Sequence, residues 1–238
     1  MATENKDTGE GCFVNDDWDL DYRGLDKFPP DGRKLLDLDL PQLGAPTGKV
    51  ADECEALLKL RVLRTSDLVK RIHRQAQGEK HAIQPVLDVL GINYDRPPKV
   101  EASALRQVIQ TNIRCVTFIF KDKYLRGRPS KMCSTELEPM FERPDRCHPG
   151  HPAYPSGHAT MAYTWAYFFA KFVPQRKKAL LEAAAEVALN REIAGVHYAS
   201  DSEAGRILGE QIARFIISDT SGTKLTPAEH KVLLQGWI

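Results

Sequence analysis

Three short segments in the second half of this 238-residue chain carry side chains that together could bind and attack a tetrahedral oxyanion. They supply three permanent cations, two histidines, one carboxylate and a Ser-Gly turn. These residues are Lys121, Arg128, Ser156, Gly157, His158, Arg191, His197 and Asp201. Because such a set can stabilise and displace a phosphate group without a metal ion, it predicts a phosphohydrolase.

The cations and the Ser-Gly turn are suited to holding phosphate. A guanidinium presents two parallel donors to two oxygens, so Arg128 and Arg191 could clamp the group, and Lys121 adds a compact point charge. The hydroxyl of Ser156 and the backbone amide of Gly157 can donate to the remaining oxygens, since glycine lets a ligand approach the chain closely.

The two histidines and the carboxylate can divide the work of a displacement at phosphorus. Asp201 follows His197 by four residues, close enough to accept a hydrogen bond from one ring nitrogen and leave the other free to attack. His158 can protonate the leaving oxygen and later activate water. Gly195 would relax the backbone just before the nucleophile. Each piece alone also fits a helix-end cation, a turn or a surface hydrogen bond, but the ordered combination favours catalysis.

The pattern Lys-x6-Arg-Pro, Pro-Ser-Gly-His and Arg-x5-His-x3-Asp resembles the three-part signature of the type 2 phosphatidic acid phosphatase superfamily. That group includes bacterial class A non-specific acid phosphatases, membrane lipid phosphatases and vanadium-dependent haloperoxidases. The resemblance implies a helical core, a phosphohistidine on His197 steadied by Asp201, and a set of phosphate-binding residues. That set is Lys121, Arg128, Ser156, Gly157, His158 and Arg191. Asn190 stands where the family often has serine, which loosens any subfamily assignment.

Modest length and soluble character resemble the class A acid phosphatases most. We therefore predict a metal-independent phosphomonoesterase for small phosphate esters, with no cofactor, and the branch resemblance implies a possible homodimer. Vanadate is shaped like phosphate, so His197 could instead coordinate vanadium in a haloperoxidase, and residues 151–160 are similar to stretches of those enzymes. Haloperoxidases are typically longer chains, which favours the phosphatase. A non-catalytic phosphate or phospholipid binder is a third alternative.

The cysteines and a histidine-rich loop do not predict a metal site. The five cysteines are scattered and include no close CxxC pair. Cys133 and Cys147 flank a loop and could form a disulfide in an oxidising compartment, although free thiols are favoured. Cys147, His148 and His151 lack a fourth zinc ligand at characteristic spacing, so we interpret them as a loop at the pocket rim.

The composition indicates one globular domain in which 42% of the side chains are apolar. The formal net charge of +1 gives no argument for nucleic acid as a partner. The longest segment without charged residues runs from Cys147 to Ala170 and contains three prolines, so no membrane span is predicted. No signal peptide is recognisable, which indicates a cytoplasmic location, or a periplasmic or secreted one if a leader was removed.

The remainder of the chain must position these residues, and its pattern is helical. Residues 1–50 are predicted to form an irregular arm or cap, and residues 51–238 a single helical domain. Apolar residues recur at three- and four-residue spacings in seven segments, without period-two alternation, which predicts an all-α bundle. Ser156 is predicted to cap one helix, and Ser200 with Glu203 to form a capping box at another. The helical segments are 57–63, 68–72, 83–90, 105–120, 159–172, 179–193 and 207–217.

Overall fold

The structure is a computed structural model that describes residues 43–94, 100–140 and 151–218. Most of the predicted amino-terminal arm therefore lies outside the described residues, as do Cys147 and His148. The division into an arm and a helical domain stays a prediction. In the described ranges we find no helix that could serve as a membrane-spanning segment.

The described residues form α-helices and short 3₁₀ turns and contain no β-strand, which confirms the predicted all-α fold. Five of the seven predicted helical segments lie wholly on these helices, whereas residues 61–63 form a 3₁₀ turn after the first helix and residues 89–90 follow the end of the third. The helices are α1 Val50–Leu60, α2 Ser66–Gln75, α3 Glu79–Asp88, α4 Val100–Tyr124, α5 Pro129–Met132, α6 Gly157–Phe172, α7 Lys177–Ile193 and α8 Ala199–Ser218.

Helix α6 is the centre of the core, because its sequence is apolar nearly all round. Trp165 stacks on Phe169 with ring centres 5.4 Å apart, and Phe168 contacts both rings. Buried apolar residues of α3, α4, α7 and α8 surround this helix. A helix without a polar face is stable only when neighbours cover it on all sides, so α6 fixes the positions of the four helices around it.

The starts of α6 and α8 lie unusually close together, and Gly205 permits this approach. A Cβ atom on Gly205 would lie 2.8 Å from the backbone oxygen of Ser156 and 2.8 Å from the Cβ of Ala159. The Ser156 N–H donates to the backbone oxygen of Asp201 at 3.0 Å. Ser156 also caps α6 as predicted, since its hydroxyl accepts from the Ala159 N–H at 3.4 Å. Two of the predicted motifs are thereby joined.

The predicted capping box at the start of α8 is wrong. The helix begins at Ala199, so Ser200 already lies inside its first turn, and the Glu203 side chain pairs with Arg206 at 2.6 Å. Asp201 instead reaches back and accepts from the Tyr198 N–H at 3.0 Å. The residue that satisfies this orphan donor is therefore the carboxylate of the third motif.

A disulfide joins α1 to the residue that follows α5. It links Cys54 to Cys133, which are separated by 79 residues in sequence. The expectation that Cys133 is a free thiol or pairs with Cys147 is therefore wrong. The pairing depends on how α1 packs in three dimensions, and no local spacing in the sequence shows it.

Candidate active site

The candidate site forms where the ends of several helices converge. One cation lies in the last turn of α4 and another directly before α5. A histidine lies in the first turn of α6, a third cation in the last turn of α7, and a second histidine two residues before α8. In chain order these residues are Lys121, Arg128, His158, Arg191 and His197. Residues that are up to 76 positions apart in sequence are thus brought into electrostatic contact.

The His197 ring is held by the buried carboxylate of Asp201. Its Nδ1 lies 3.2 Å from Asp201 Oδ2, and the same oxygen accepts from the Tyr198 N–H. Asp201 is fully buried. Burial raises the pKa of Asp201, while donors on both of its oxygens favour the ionised form. We interpret the contact as Nδ1–H donating to a carboxylate.

Arg128 occupies the other side of the His197 ring. Its Nη1 lies 3.1 Å from His197 Nε2, and since a guanidinium only donates, Nε2 must be the acceptor. The tautomer with hydrogen on Nδ1 follows. Arg128 also donates to the backbone oxygens of Val196 at 2.7 Å and His151 at 2.9 Å. Burial lowers the pKa of Arg128 to about 9.

His151 lies against this guanidinium. Its Nδ1 is 2.9 Å from Arg128 Nη2, which makes Nδ1 an acceptor as well. The ring packs edge-on against Phe118, with centroids 5.4 Å apart. The described part of the loop therefore reaches the site, where sequence analysis placed the pocket rim. Within the described residues, no cluster of His, Cys, Asp and Glu side chains could hold a metal ion.

Lys121 is buried, and its ammonium binds the segment that leads into α6. Nζ donates to the backbone oxygens of Pro152 at 2.6 Å, Ala153 at 3.2 Å and Pro155 at 2.7 Å. Burial, assisted by the positive charge of Arg128, lowers the pKa of Lys121. The assignment of Lys121 and Arg128 as phosphate ligands stays a prediction. Phosphate binding would require donors that now serve backbone carbonyls to be exchanged onto phosphate oxygens.

Arg191 and His158 complete the positive surroundings. Arg191 is 3% exposed, and burial lowers its pKa to about 10. Burial lowers the pKa of His158, and the positive charge of Arg191 lowers it further. A hydrogen bond to the backbone of Gln75, at the end of α2, acts in the opposite direction. The pKa of His197 is lowered by burial and then by Arg128 and its neighbours. Both histidines are therefore neutral near pH 7.

Gly195 and the start of α6 set the backbone around these side chains. Gly195 has φ +72°, and the N–H groups of Gly195 and Val196 return to the carbonyls of Glu192 and Arg191. This left-handed ending of α7 turns the chain from Arg191 to His197 within six residues. At Gly157 a Cβ would meet only Thr117, at 3.7 Å, so this backbone is not crowded by the protein. The phosphate contacts of Ser156 and Gly157 stay predictions.

Sequence analysis missed two charged residues at this site. Arg126 is buried and donates through Nη1 to Asp201 Oδ1 at 2.6 Å. Its Nη2 donates to Glu53 of α1. Arg126 lies inside the first motif, two residues before Arg128, which was a signal that could have found it. Glu53 lies 68 residues before Lys121, and the sequence gives no signal for it.

The site carries more buried positive than negative charge. Four cations of the described residues are buried here, and they face two largely buried carboxylates, Glu53 and Asp201. Burial raises the pKa of the nearby Glu192 to about 7, so this third carboxyl is not fully ionised at neutral pH. A surplus of buried positive charge is costly unless an anion compensates it. The four cations are Lys121, Arg126, Arg128 and Arg191.

The fold and the site define an all-α protein with a buried, cationic pocket around a carboxylate-bound histidine. The comparison with known families adds that the model of the PAP2 superfamily matches residues 106–223, which include all three motifs. Residues 106–223 therefore match a PAP2 superfamily domain, as the motifs predicted. This assignment supports phosphatase-type activity in general and leaves the class A subtype a proposal.

Several solved structures are similar to this chain. One of them is described as the first transmembrane PAP2 type phosphatidylglycerolphosphate phosphatase from Bacillus subtilis. The two chains are 22% identical, and the match covers 68% of this chain and 82% of that one, with a TM-score of 0.46. The likeness is too distant to transfer that protein's substrate or membrane location to this chain.

Proposed function

We propose that this protein is a metal-independent phosphomonoesterase that acts on small phosphate esters through a phosphohistidine on His197, in the manner of class A acid phosphatases. The observation that carries the proposal is the buried charge surplus beside a histidine whose Nε2 is the acceptor. Four cations against two carboxylates and a partly ionised Glu192 leave between one and two positive charges. A phosphate monoester, whose second pKa is about 6, supplies two negative charges at neutral pH.

In the first step the Nε2 lone pair of His197 attacks phosphorus. The Arg128 N–H that lies 3.1 Å from Nε2 shifts to a phosphate oxygen, which frees the lone pair. As the P–N bond forms, the bond from phosphorus to the ester oxygen breaks, and that oxygen takes a proton from His158. Asp201 keeps the hydrogen bond from Nδ1–H and stabilises the positive charge that develops on the ring.

In the second step a water molecule gives a proton to His158 and attacks phosphorus. The P–N bond breaks, its electron pair returns to Nε2, and inorganic phosphate is released. His158 thus ends the cycle with the proton it lent to the leaving group. Lys121, Arg128 and Arg191 stabilise the charge on the non-bridging oxygens in both steps.

Binding of the substrate should supply the proton that His158 needs. Burial and Arg191 lower the pKa of His158 in the protein alone, so the ring is neutral there. A phosphate dianion beside the ring acts in the opposite direction and raises that pKa. Binding therefore couples to proton uptake, which fits the acidic pH optimum expected of class A acid phosphatases.

The compartment and the assembly are part of the same proposal. The Cys54–Cys133 disulfide favours a periplasmic or secreted location over the cytoplasm, because disulfides persist in oxidising compartments. A homodimer remains a prediction from the class A resemblance.

The decisive test is hydrolysis of p-nitrophenyl phosphate across pH in the presence of EDTA. We expect turnover that competitive vanadate blocks, and loss of turnover in a folded His197→Ala variant. His73→Ala, an exposed histidine on α2, is the matched control and should keep wild-type activity. A requirement for added Mg²⁺, or full activity in His197→Ala, would contradict the proposal.

A parallel assay with bromide, peroxide and vanadate tests the alternative use of the same pocket. Vanadate-dependent bromination with negligible ester hydrolysis would keep the pocket assignment and replace the phosphatase by a haloperoxidase. Phosphate binding without either activity would indicate a non-catalytic binder.

A further inference from the structure

A buried chain of charged contacts leads from α1 to the predicted nucleophile. It starts at Asp201, whose Oδ2 faces His197 Nδ1 and whose Oδ1 accepts from Arg126 at 2.6 Å. Arg126 also donates to Ser200 Oγ at 2.6 Å, and its guanidinium lies 4.1 Å from the centre of the Tyr198 ring. Arg126 is therefore held on the side of Asp201 that faces away from His197.

Glu53 of α1 is the next member of the chain. One of its oxygens pairs with Arg126, and the other accepts from the N–H of Ser200 at 3.0 Å and from its hydroxyl at 2.6 Å. The Ser200 N–H is one of the first-turn donors of α8 that have no partner within the helix. Glu53 thus caps α8 from another part of the chain and also fixes the arginine that binds Asp201.

The disulfide fixes Glu53 itself. Cys54, the next residue in α1, is bonded to Cys133, seven residues after Arg126. Two consecutive residues of α1 therefore bind the segment 126–133: Glu53 forms an ion pair with Arg126, and Cys54 forms a disulfide with Cys133. Helix α1 precedes residues 106–223, the part of the chain that matches the superfamily.

We infer that Glu53 and Arg126 are positioning residues for His197, and that α1 is part of the catalytic apparatus although it lies outside the matched family segment. Arg126 occupies Oδ1 of Asp201 so that Oδ2 is directed at the His197 ring. Glu53 holds Arg126 and the start of α8 in the geometry that this requires. The inference rests on the proposed role of His197 as the nucleophile.

Loss of the arginine would change the carboxylate in a way that activity can report. Burial already raises the pKa of Asp201, and Arg126 is its strongest opposing charge. Without that charge, Asp201 would take up a proton at higher pH and would no longer hold the Nδ1–H of the ring as a carboxylate. The charged and titratable groups around Asp201 are Glu53, Lys121, Arg126, Arg128, Tyr154, Glu192, His197 and Tyr198.

The test compares Arg126→Gln, Arg126→Lys and Glu53→Gln in the full chain, with p-nitrophenyl phosphate as substrate. We expect Arg126→Gln to lower kcat by about 10- to 100-fold, the range found when the outer partners of metal-binding histidines are removed. KM should change little, and the acidic limb of the kcat/KM profile should move to higher pH. Arg126→Lys should recover part of kcat because it keeps the charge, and Glu53→Gln should show a smaller loss.

Glu55→Gln is the matched control, since Glu55 is an exposed residue of α1 that pairs only with Lys59 in the described contacts. It should keep the wild-type rate and pH profile. Wild-type kcat and an unshifted profile in Arg126→Gln and Glu53→Gln would overturn the inference. A loss of kcat that is accompanied by a lower Tm and leaves the pH profile of the remaining activity unchanged would also overturn it. If Arg126→Gln does not fold, the other two variants decide.

Failure of the proposed function would be seen separately. A wild-type protein without phosphatase activity would refute that proposal, and nuclear magnetic resonance of the His197 ring nitrogens would still test the positioning. We expect the Nδ1–H tautomer in wild type and a mixture of tautomers in Arg126→Gln. The same tautomer in both proteins would contradict the inference.

Discussion

Replacing Asp201 with asparagine tests whether a buried carboxylate sets the tautomer of His197. The Asp201 carboxylate only accepts hydrogen bonds. Arg126 donates to Oδ1, and the Tyr198 N–H and His197 Nδ1–H donate to Oδ2. An asparagine of the same shape offers one oxygen and one NH₂ group. In either orientation, the NH₂ group must face a donor.

The two orientations differ in cost, and the difference decides the outcome. If the NH₂ faces Arg126, a donor of that buried cation meets another donor, which costs more than about 3 kcal/mol because the group is charged, although Glu53 still pairs with Arg126. If it faces Tyr198 and His197, one buried amide is unsatisfied, at about 1–3 kcal/mol, and the ring can adapt by moving its hydrogen to Nε2. Arg128 Nη1 then loses Nε2 as an acceptor but keeps the backbone oxygen of Val196. The second orientation is therefore favoured, and it removes the lone pair that attacks phosphorus.

We expect Asp201→Asn to fold and to lose about 10⁴-fold in kcat, as in hydrolases whose histidine is forced into the wrong tautomer. The assay is turnover of p-nitrophenyl phosphate, combined with nuclear magnetic resonance of the ring nitrogens of His197. Asp52→Asn, an exposed position in the first turn of α1, should have no effect. A wild-type rate, or a lost rate with Nδ1–H retained, would refute the reasoning.

Three further predictions concern stability. Replacing Cys54 and Cys133 together with serine should lower the unfolding free energy by about 4.5 kcal/mol, the chain-entropy value for a bridge across 79 residues, in urea titrations without reductant. Gly205→Ala should lower the unfolding free energy by about 1–3 kcal/mol through overpacking, since its Cβ would lie 2.8 Å from the backbone oxygen of Ser156. In the control Gly44→Ala the new Cβ meets nothing within 4 Å, so thermal melts should show a lower Tm for Gly205→Ala and an unchanged Tm for Gly44→Ala. Burial raises the pKa of Glu192 from 4.5 to about 7, so its contribution is fully present below pH 4.5 and is lost as pH rises through 7. The unfolding free energy of Glu192→Gln should therefore exceed that of the wild type by up to about 3 kcal/mol at pH 8 and by almost nothing at pH 4. Urea unfolding at both pH values measures this difference.

Each of these has an outcome that contradicts it. Equal unfolding free energies with and without the disulfide would mean that α1 is held by packing alone. An unchanged Tm in Gly205→Ala would show that α6 and α8 can separate without cost. A Glu192→Gln variant that gains as much at pH 4 as at pH 8 would rule out ionisation as the cause.

The helices and the motifs could be predicted because they depend on neighbours in sequence. The apolar spacing before Lys121 follows the buried face of α4, and the uncharged run after His158 became the central helix α6. The cap at Ser156 was predictable for the same reason. The Ser200–Glu203 box failed because a nearer carboxylate, Asp201, already satisfies the helix start.

The rest could not be predicted because it depends on contacts between distant segments. Cys54 pairs with Cys133, and Glu53 reaches Arg126 across 73 residues, so no local pattern connects them. Residue type alone showed that Lys121 could bind phosphate. It could not show that three backbone carbonyls would bind the same ammonium group.

These carbonyl contacts explain how the fold tolerates a surplus of buried positive charge. Lys121 and Arg128 donate to carbonyls of residues 151–155, whose dipoles offset part of the desolvation cost but carry no net negative charge. Four cations facing two carboxylates therefore leave uncompensated positive charge, which lowers the stability of the fold. Packing in the apolar core around α6 must offset this cost. An oxyanion with two negative charges would neutralise this surplus of positive charge. In the proposed function, the arrangement that makes the site costly to fold is therefore the one that favours binding of a phosphate dianion.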